Sequence, residues 1–167
     1  PTFFNVLIAN FNVINYVKFK NFKNLLLKIH QKTDKNSIFI FDTWSLEFVK
    51  NNSDKKSLKS KFNFPNKSGD YIKRESKSFF NSKNNSLQIS FDFVHVNNNK
   101  EIKLGKEKHI IYPYSIADLK VYFSKISNLW RLKYLKPYEE INQIKAFKAN
   151  DDKFGIYKNW YIILEKV

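Results

Sequence analysis

The sequence SLQISFDFVHV, residues 86–96, has the most regular pattern in the chain. Leu87, Ile89, Phe91 and Phe93 alternate with mostly polar residues, which is the period of a β-strand with one buried face. The NNNK that follows is typical of a turn. Farther along, KHIIYPY, DLKVYFSKIS and the closing FGIYKNWYIILEKV are rich in β-branched and aromatic residues and predict further strands. The second half of the chain is therefore predicted to be β-rich.

The first half of the chain favours helices. Residues 2–14 place apolar residues at helical spacing, and NFKNLLLKIHQK, residues 21–32, has an apolar stripe behind a capping Asn21. SIFIFDTWSLEFV, residues 37–49, is β-like. PYEEINQI, residues 137–144, predicts a short helix that begins with a proline. This order predicts an α+β fold of two small lobes, in which N-terminal helices with a short sheet precede a β-rich C-terminal lobe.

Composition changes abruptly in the middle of the chain. Residues 50–85 are rich in Ser, Asn and Lys, which predicts a basic insertion extended along a partner or, alternatively, a disordered loop. We therefore divide the chain into an N-terminal α/β lobe at 1–49, the insertion at 50–85, and a β-rich, RNA-binding C-terminal lobe at 86–167.

The charge of the chain is strongly one-sided. Thirty Lys and Arg residues face 15 Asp and Glu residues, giving a formal net charge of +15, and 28 of the basic residues are lysines. Such an excess favours a polyanionic partner, with nucleic acid first and an anionic membrane second. The absence of cysteine excludes disulfides, thiol nucleophiles and thiolate metal sites. No apolar run is long enough for a membrane span.

The segment KISNLWRLKYLKPYEEI, residues 125–141, combines cations with aromatic rings and contains one of the two arginines. Cations neutralise phosphates, and a guanidinium can also stack on bases, so the segment indicates RNA binding. The alternative is an exposed strand whose aromatic residues face the core. The residues concerned are Lys125, Trp130, Arg131, Lys133, Tyr134, Lys136 and Tyr138.

Two further clusters carry possible chemistry. Lys18, Lys20 and Lys23 lie beside the start of a predicted helix, where a phosphate can bind, or else they form a solvated basic loop. Asp92, Glu101 and Lys103 form a loose match to the D…E-x-K metal site of nucleases, with a hairpin bearing ordinary surface charges as the alternative. The histidines lack metal-ligand spacing and no glycine-rich phosphate loop exists, so we predict no metal and no cofactor.

Several of these segments together resemble the small-subunit ribosomal protein S-eight family. Ile126, Ser127 and Tyr134 have the spacing of that family's I-S-x-P-G-x-R-x-Y stretch, and Glu140-Ile141 follow as its acidic helix start. LQISFDF resembles one of its strands. Gly155-Ile156 match a Gly-Ile in a turn that, in the family, meets ribosomal RNA. The resemblance adds four residues to the predicted RNA contacts: Ser127, Asn150, Lys153 and Gly155.

The resemblance implies a structural protein without enzymatic activity, bound to ribosomal RNA and neighbouring ribosomal proteins and to no small-molecule substrate. The Lys, Asn, Phe, Ile and Tyr excess is what AT-rich codons produce, and with no transit peptide it indicates an organelle-encoded protein or, alternatively, a protein of an AT-rich microbe. Together with the resemblance, it predicts a constituent of a mitochondrial small ribosomal subunit in the matrix. Two alternatives stay open. One is a metal-dependent nuclease that uses Asp92, Glu101 and Lys103, and the other is a peripheral subunit of a respiratory membrane complex.

Overall fold

The computed structural model describes residues 4–52, 60–65, 69–98, 100–138 and 158–167. These residues form a mixed α/β fold with two four-stranded sheets and three α-helices. The chain divides into two compact units, one formed by residues 1–51 and 112–167 and the other by residues 52–111. The boundaries of these two units differ from the boundaries of the three segments predicted from composition.

The elements follow one another along the chain in this order: β1 (Phe4–Ala9), a short 3₁₀ turn (Val13–Tyr16), α1 (Phe19–Gln31), β2 (Thr33–Trp44), α2 (Leu46–Asn52), β3 (Ser60–Pro65), β4 (Tyr71–Asn81), β5 (Ser86–Asn97), β6 (Lys100–Ile111), α3 (Ile116–Lys125), β7 (Trp130–Pro137) and β8 (Asn159–Lys166). The predicted helix at 21–32 and the predicted strand at 86–96 are confirmed as α1 and β5. The last strand is confirmed as β8. The predicted helix at 137–144 lies outside the described residues, apart from its first two positions.

The sheet of the first unit has the order β1-β2-β8-β7, in which β1 runs parallel to β2 and the other pairs are antiparallel. Alternate residues of the strands enter one core together with α1 and α3. The strands contribute Phe39, Phe41, Trp130, Ile162 and Leu164 to this core. The helices contribute Phe22, Leu26, Leu119 and Phe123. Both helices therefore pack on the same face of the sheet.

The helix predicted over residues 2–14 is wrong, because its described part, residues 4–14, contains β1 and the start of the 3₁₀ turn. A short apolar run fits either a helix or a strand adjoined by a parallel neighbour, and periodicity alone cannot separate them. Here Leu7 pairs with Phe39 and Ala9 with Phe41 on β2. The tertiary pairing with β2 therefore decides the conformation.

The strand predicted at DLKVYFSKIS is also wrong, because these residues belong to helix α3 and the turn after it. The hydroxyl of Ser115 accepts a hydrogen bond from the backbone N–H of Asp118 at 3.1 Å, which caps the helix. Ile116, Leu119 and Phe123 are buried at intervals of three and four residues. The helical spacing was therefore present, although β-branched and aromatic content favoured a strand. The β-like segment at 37–49 is likewise divided, since β2 ends at Trp44 and α2 follows.

The second unit contains a four-stranded antiparallel sheet in the order β3-β4-β5-β6. The described parts of the segment 50–85 belong mainly to β3 and β4, and β4 pairs with β3 on one side and with β5 on the other. The parts of this segment that the structure describes are thus paired strands within the chain's own sheet, with the end of α2 before them.

Candidate functional site at the carboxyl end of the parallel strands

The loop after β1 holds the backbone in an unusual conformation. Phe11 and Asn12 have φ angles of 60° and 58°, in the left-handed region that residues other than glycine rarely adopt. Asn tolerates this region, but a phenylalanine there is an outlier. The Phe11 side chain is also 93% exposed. Strained backbone and an exposed ring in one loop are typical of a functional position.

Asp42 at the carboxyl end of β2 holds this loop in place. Its Oδ1 atom accepts a hydrogen bond from the backbone N–H of Asn12 at 2.7 Å. Burial raises the pKa of the Asp42 carboxyl, while backbone hydrogen bonds from Asn12, from Asp42 itself and from Phe11 act in the opposite direction. The carboxylate therefore fixes the end of β2 against the loop that follows β1.

Asn15 anchors the other end of the same loop. Its side chain is fully buried, and Nδ2 donates to Thr43 Oγ1 at 2.7 Å and to the backbone oxygen of Tyr112 at 2.9 Å. Its Oδ1 accepts the backbone N–H of Trp44 at 3.0 Å. One amide thus joins the 3₁₀ turn to β2 and to the segment before α3, which makes the loop rigid on this side.

The loop offers two groups to a ligand: the aromatic ring of Phe11 and the hydrogen-bond acceptor Oδ1 of Asn12. The Asn12 Oδ1 atom is buried and has no hydrogen-bond partner among the described residues. A buried acceptor without a partner is costly and indicates a missing donor. An exposed aromatic ring attracts flat apolar groups and cations. The Phe11–Asn12 pair therefore fits a ligand that carries both a hydrogen-bond donor and a cationic or aromatic group.

Two tyrosines lie near Asp42 on the neighbouring strands. Tyr161 of β8 is the direct cross-strand partner of Asp42, and Tyr138 stacks on it with ring centroids 5.5 Å apart. Burial raises the pKa of the Tyr161 hydroxyl, and the charges of Asp42 and Tyr138 add to this effect. The Tyr161 hydroxyl is therefore a neutral donor at physiological pH. The two tyrosine rings extend the aromatic character of this end of the sheet.

The structure separates the residues of the predicted RNA-binding segment. Trp130 is 1% exposed and belongs to the core, so its ring cannot stack on a base. Arg131 and Lys133 both lie 3.3 Å from the carboxylate of Glu165 on the neighbouring strand. Lys136 lies over the Tyr134 ring at 5.2 Å, and Lys125 and Ser127 are exposed at the end of α3. Arg131 is thus part of an exposed cross-strand ion pair.

The other predicted contacts are equally scattered. Lys18, Lys20 and Lys23 are exposed at the start of α1, and Lys18 Nζ lies 5.3 Å from the centre of the Tyr112 ring. Asn150, Lys153 and Gly155 lie outside the described residues.

The nuclease constellation is not assembled either. Asp92 pairs with Lys106 at 3.0 Å, whereas Glu101 pairs with Lys73 at 3.1 Å. Glu101 is opposite Val96, four residues along β5 from Asp92, so the carboxylates are on the order of 13 Å apart. In the part of the chain that the structure describes, no three His, Asp or Glu side chains could hold a metal ion together. Across these same residues no helix is long and apolar enough to cross a membrane.

Sequence reasoning missed Phe11, Asn12, Asn15 and Asp42. A signal was present in IANFNVIN and FIFDTW, where polar residues directly follow a run of β-branched and aromatic residues. The signal could be used only if the two runs were known to be parallel neighbours, because the carboxyl ends of parallel strands meet at one edge. Because the apolar spacing of the first run predicts a helix, the sequence alone does not place the two polar ends side by side.

The fold is similar to that of solved methyltransferases. An S-adenosylmethionine-dependent methyltransferase from Clostridium acetobutylicum is 12% identical, covers 98% of this chain and aligns with a TM-score of 0.67. CalS10, an amino pentose methyltransferase from Micromonospora echinaspora solved with bound S-adenosylmethionine, is 7% identical with 99% coverage and a TM-score of 0.67. DesVI of Streptomyces venezuelae is 13% identical with 96% coverage and a TM-score of 0.65. This chain spans 58–59% of the length of these proteins.

No family model and no curated protein matches the sequence. The structural similarity nevertheless corrects the resemblance drawn from sequence motifs, because the whole described fold aligns with methyltransferases and not with the ribosomal protein S-eight family. The predicted ribosomal role, the predicted partners ribosomal RNA and ribosomal proteins, and the prediction of a protein without enzymatic activity are therefore wrong. Neither the nuclease nor the respiratory-complex alternative is supported. The motif matches failed because a few identities at loose spacing recur by chance in a chain rich in Lys, Ile and Tyr.

Proposed function

We propose that the chain forms one side of a site for methyl transfer from S-adenosylmethionine. The observation that carries the proposal is the strained, exposed loop at Phe11 and Asn12, which lies at the carboxyl end of two parallel strands. Open α/β sheets bind their ligands outside the carboxyl ends of the strands. The similarity of the fold to three methyltransferases supports the choice of ligand.

The residues of this loop fit one side of such a cofactor. S-adenosylmethionine supplies an electrophilic methyl group on a sulfonium cation, and it also carries an adenine ring, ribose hydroxyls and an amino group. The exposed Phe11 ring suits the cation or the adenine, and the buried Asn12 Oδ1 suits an N–H or O–H donor. Asp42 positions both residues through its hydrogen bond to the Asn12 N–H. The three glycines of the sequence, at 69, 105 and 155, are too far apart along the chain to make a glycine-rich motif.

An amine is the acceptor class that we expect. CalS10 is named as an amino pentose methyltransferase, and KedS8 from Streptoalloteichus, 7% identical with a TM-score of 0.60, as a sugar N-methyltransferase. The stacked rings of Tyr161 and Tyr138, with the neutral hydroxyl of Tyr161, would lie next to such an acceptor. The two-lobe arrangement and a mitochondrial location remain predictions.

Photolabelling tests the proposal. The tagged chain, isolated from its source cells together with the polypeptides that accompany it, is irradiated with S-adenosylmethionine radiolabelled in the methyl group. We expect the label on a peptide that contains Phe11 and Asn12, and we expect excess unlabelled S-adenosylhomocysteine to prevent it. Label that is absent from this chain, or that unlabelled cofactor does not displace, would contradict the proposal.

A further inference from the structure

The sheet of the second unit has two faces of different chemistry. Side chains alternate between the faces along a strand, and direct cross-strand partners share one face. One face is charged and contains the ion pairs Lys73–Glu101 at 3.1 Å and Asp92–Lys106 at 3.0 Å. The other, which we call the aromatic face, has two complete rows of cross-strand partners, Phe64–Ile72–His95–Ile102 and Phe62–Arg74–Phe93–Gly105, followed by Phe91 and Glu107.

The aromatic face is apolar yet largely uncovered. Phe62 is 52% exposed, Phe64 48%, Ile72 39% and Ile102 58%. An antiparallel sheet commonly has one face in water and one face packed on apolar surface. Here the charged face suits water, and the contiguous exposed apolar residues of the aromatic face are typical of a surface that binds a partner.

Arg74 places one positive charge among the rings of the aromatic face. Its Cζ atom lies 5.1, 5.6 and 5.3 Å from the ring centroids of Phe62, Phe64 and Phe91. Its Nε atom is buried and has no hydrogen-bond partner, and among the residues that the structure describes no carboxylate forms an ion pair with it. A guanidinium surrounded by rings is poorly hydrated, so it would attract an incoming carboxylate strongly.

The same face carries a carboxylate of its own. Glu107 is the cross-strand partner of Phe91, its side chain is 60% exposed, and it lies 3.4 Å from Nε2 of His109. Arg74 and Glu107 are two strands and two residues apart, which separates their Cα atoms by roughly 12 Å. Their charges are therefore too far apart to pair within one chain, although both lie on the aromatic face.

We propose that the aromatic face binds the aromatic face of a second copy of this chain, with Arg74 of each copy paired to Glu107 of the other. A twofold axis between the two sheets, set as the perpendicular bisector of the line from Arg74 to Glu107, exchanges these two positions and forms both ion pairs at once. The axis would pass between Phe91 and Phe93 of β5, so the rings of the two copies would meet at the centre of the interface. The face is thus complementary to itself in charge and in apolar surface.

The composition and the size of the aromatic face agree with this occupant. Lysine supplies 28 of the 30 basic residues, yet the two complete rows contain an arginine and no lysine. The centres of protein interfaces are enriched in aromatic residues and arginine and depleted in lysine. β4, β5 and β6 have 11 to 12 residues each, so the face measures roughly 37 by 15 Å before protruding side chains are counted. That is of the order of the about 800 Å² that each partner buries in a stable complex.

Charge reversal tests the two contacts. Sedimentation equilibrium measures the dissociation constant of the dimer for the wild type, Arg74→Glu and Glu107→Arg, and circular dichroism verifies that each variant is folded. Either single reversal places like charges at both contacts, so we expect the dissociation constant to rise at least tenfold. Arg131→Glu, at the other arginine of the chain, is the matched control because Arg131 lies on β7 in the first unit, and it should dimerise as the wild type does.

Mixing the two single variants shows whether the contact is reciprocal. In a mixed dimer of Arg74→Glu with Glu107→Arg, each contact joins one acidic and one basic side chain, so both contacts are attractive again. We expect the mixed dimer to have a dissociation constant within about threefold of the wild-type value. A wild-type chain that is monomeric at every concentration, or two folded variants that do not form the mixed dimer, would overturn the proposal.

Glu107→Arg is decisive even if Arg74→Glu does not fold, because Glu107 is exposed. A Glu107→Arg chain that dimerises as the wild type does would also overturn the proposal. The measurements use no cofactor, so the proposal holds or fails whether or not the chain transfers methyl groups.

Discussion

A few side chains determine the conformation of the loop after β1. Two residues with left-handed backbone persist only when their surroundings fix them, and here Asp42 and Asn15 do so from opposite ends. No pattern in the sequence indicates φ angles of this kind at Phe11. The long-range contacts that impose them join residues about 30 positions apart, so local reasoning could not have predicted this part of the site.

The pH dependence of stability tests the role of Asp42. Because burial raises its pKa in the folded state, the folded protein binds the proton more tightly than the unfolded chain, whose value is near 3.8. The stability that this group contributes is therefore present below pH 3.8 and is lost as the pH rises through the raised pKa. Asp42→Asn removes this loss and keeps an oxygen acceptor for the Asn12 N–H.

We expect the unfolding free energy of Asp42→Asn, relative to the wild type, to increase as the pH rises from 3.8 to neutrality. Urea denaturation at several pH values measures it. A difference between the two proteins that does not change with pH would show that the carboxyl has the same pKa in both states.

Asn15→Ala should destabilise the protein by roughly 2–4 kcal/mol, because it leaves the Trp44 N–H and the Tyr112 carbonyl without their partner. Urea denaturation at neutral pH measures this. The exposed Asn24 of α1 provides the matched control, and Asn24→Ala should change the free energy by less than about 0.5 kcal/mol. Equal effects would show that the buried amide does not stabilise the loop.

At the scale of the elements, Glu47 connects the starts of two helices. Its carboxylate accepts hydrogen bonds from the hydroxyls of Ser45 at 2.9 Å and Ser115 at 2.7 Å, and from the backbone N–H of Ile116 at 3.2 Å. A carboxylate at the positive end of a helix is favourable, and here it serves α2 and α3 together. It also ties the end of β2 to the start of α3.

Ser115→Ala should lower the unfolding free energy by about 1 kcal/mol, because it removes the cap of α3 and a partner of Glu47. Thermal denaturation measures the change. Ser127→Ala, in the exposed turn after α3, is the control and should have little effect. A Ser115→Ala chain as stable as the control would mean that the cap is not needed.

The elements that were predicted correctly are those whose own sequence decides their structure. α1 has an apolar stripe behind a polar start, and β5 alternates strictly. The segment of β1 is predicted as a helix and that of α3 as a strand, because their short apolar runs fit both the helical and the strand period. Only their partners in the core decide which of the two conformations forms. Pairing with β2 made the first a strand, and burial against α1 and the sheet made the second a helix.

At the scale of the molecule, the charge of +15 misdirected the functional inference. In the first unit, described lysines lie at the start of α1, at the end of α3 and on β7. In the second unit, Lys73 and Lys106 form ion pairs across the sheet. Such a distribution keeps a protein soluble without specifying a partner. Composition therefore predicted a polyanion, whereas the fold resembles that of methyltransferases.

The proposed site requires that the loop at Phe11 and Asn12 contact S-adenosylmethionine. Equilibrium dialysis measures the dissociation constant of radiolabelled S-adenosylmethionine for the tagged chain, either wild type or Phe11→Ala, isolated from its source cells together with the polypeptides that accompany it. We predict binding about three- to thirtyfold weaker for Phe11→Ala, which corresponds to the loss of an aromatic contact with a cation. Phe79→Ala, at a phenylalanine that is also exposed but lies in the second unit, should bind as the wild type does. Equal dissociation constants for Phe11→Ala and the wild type would contradict the account.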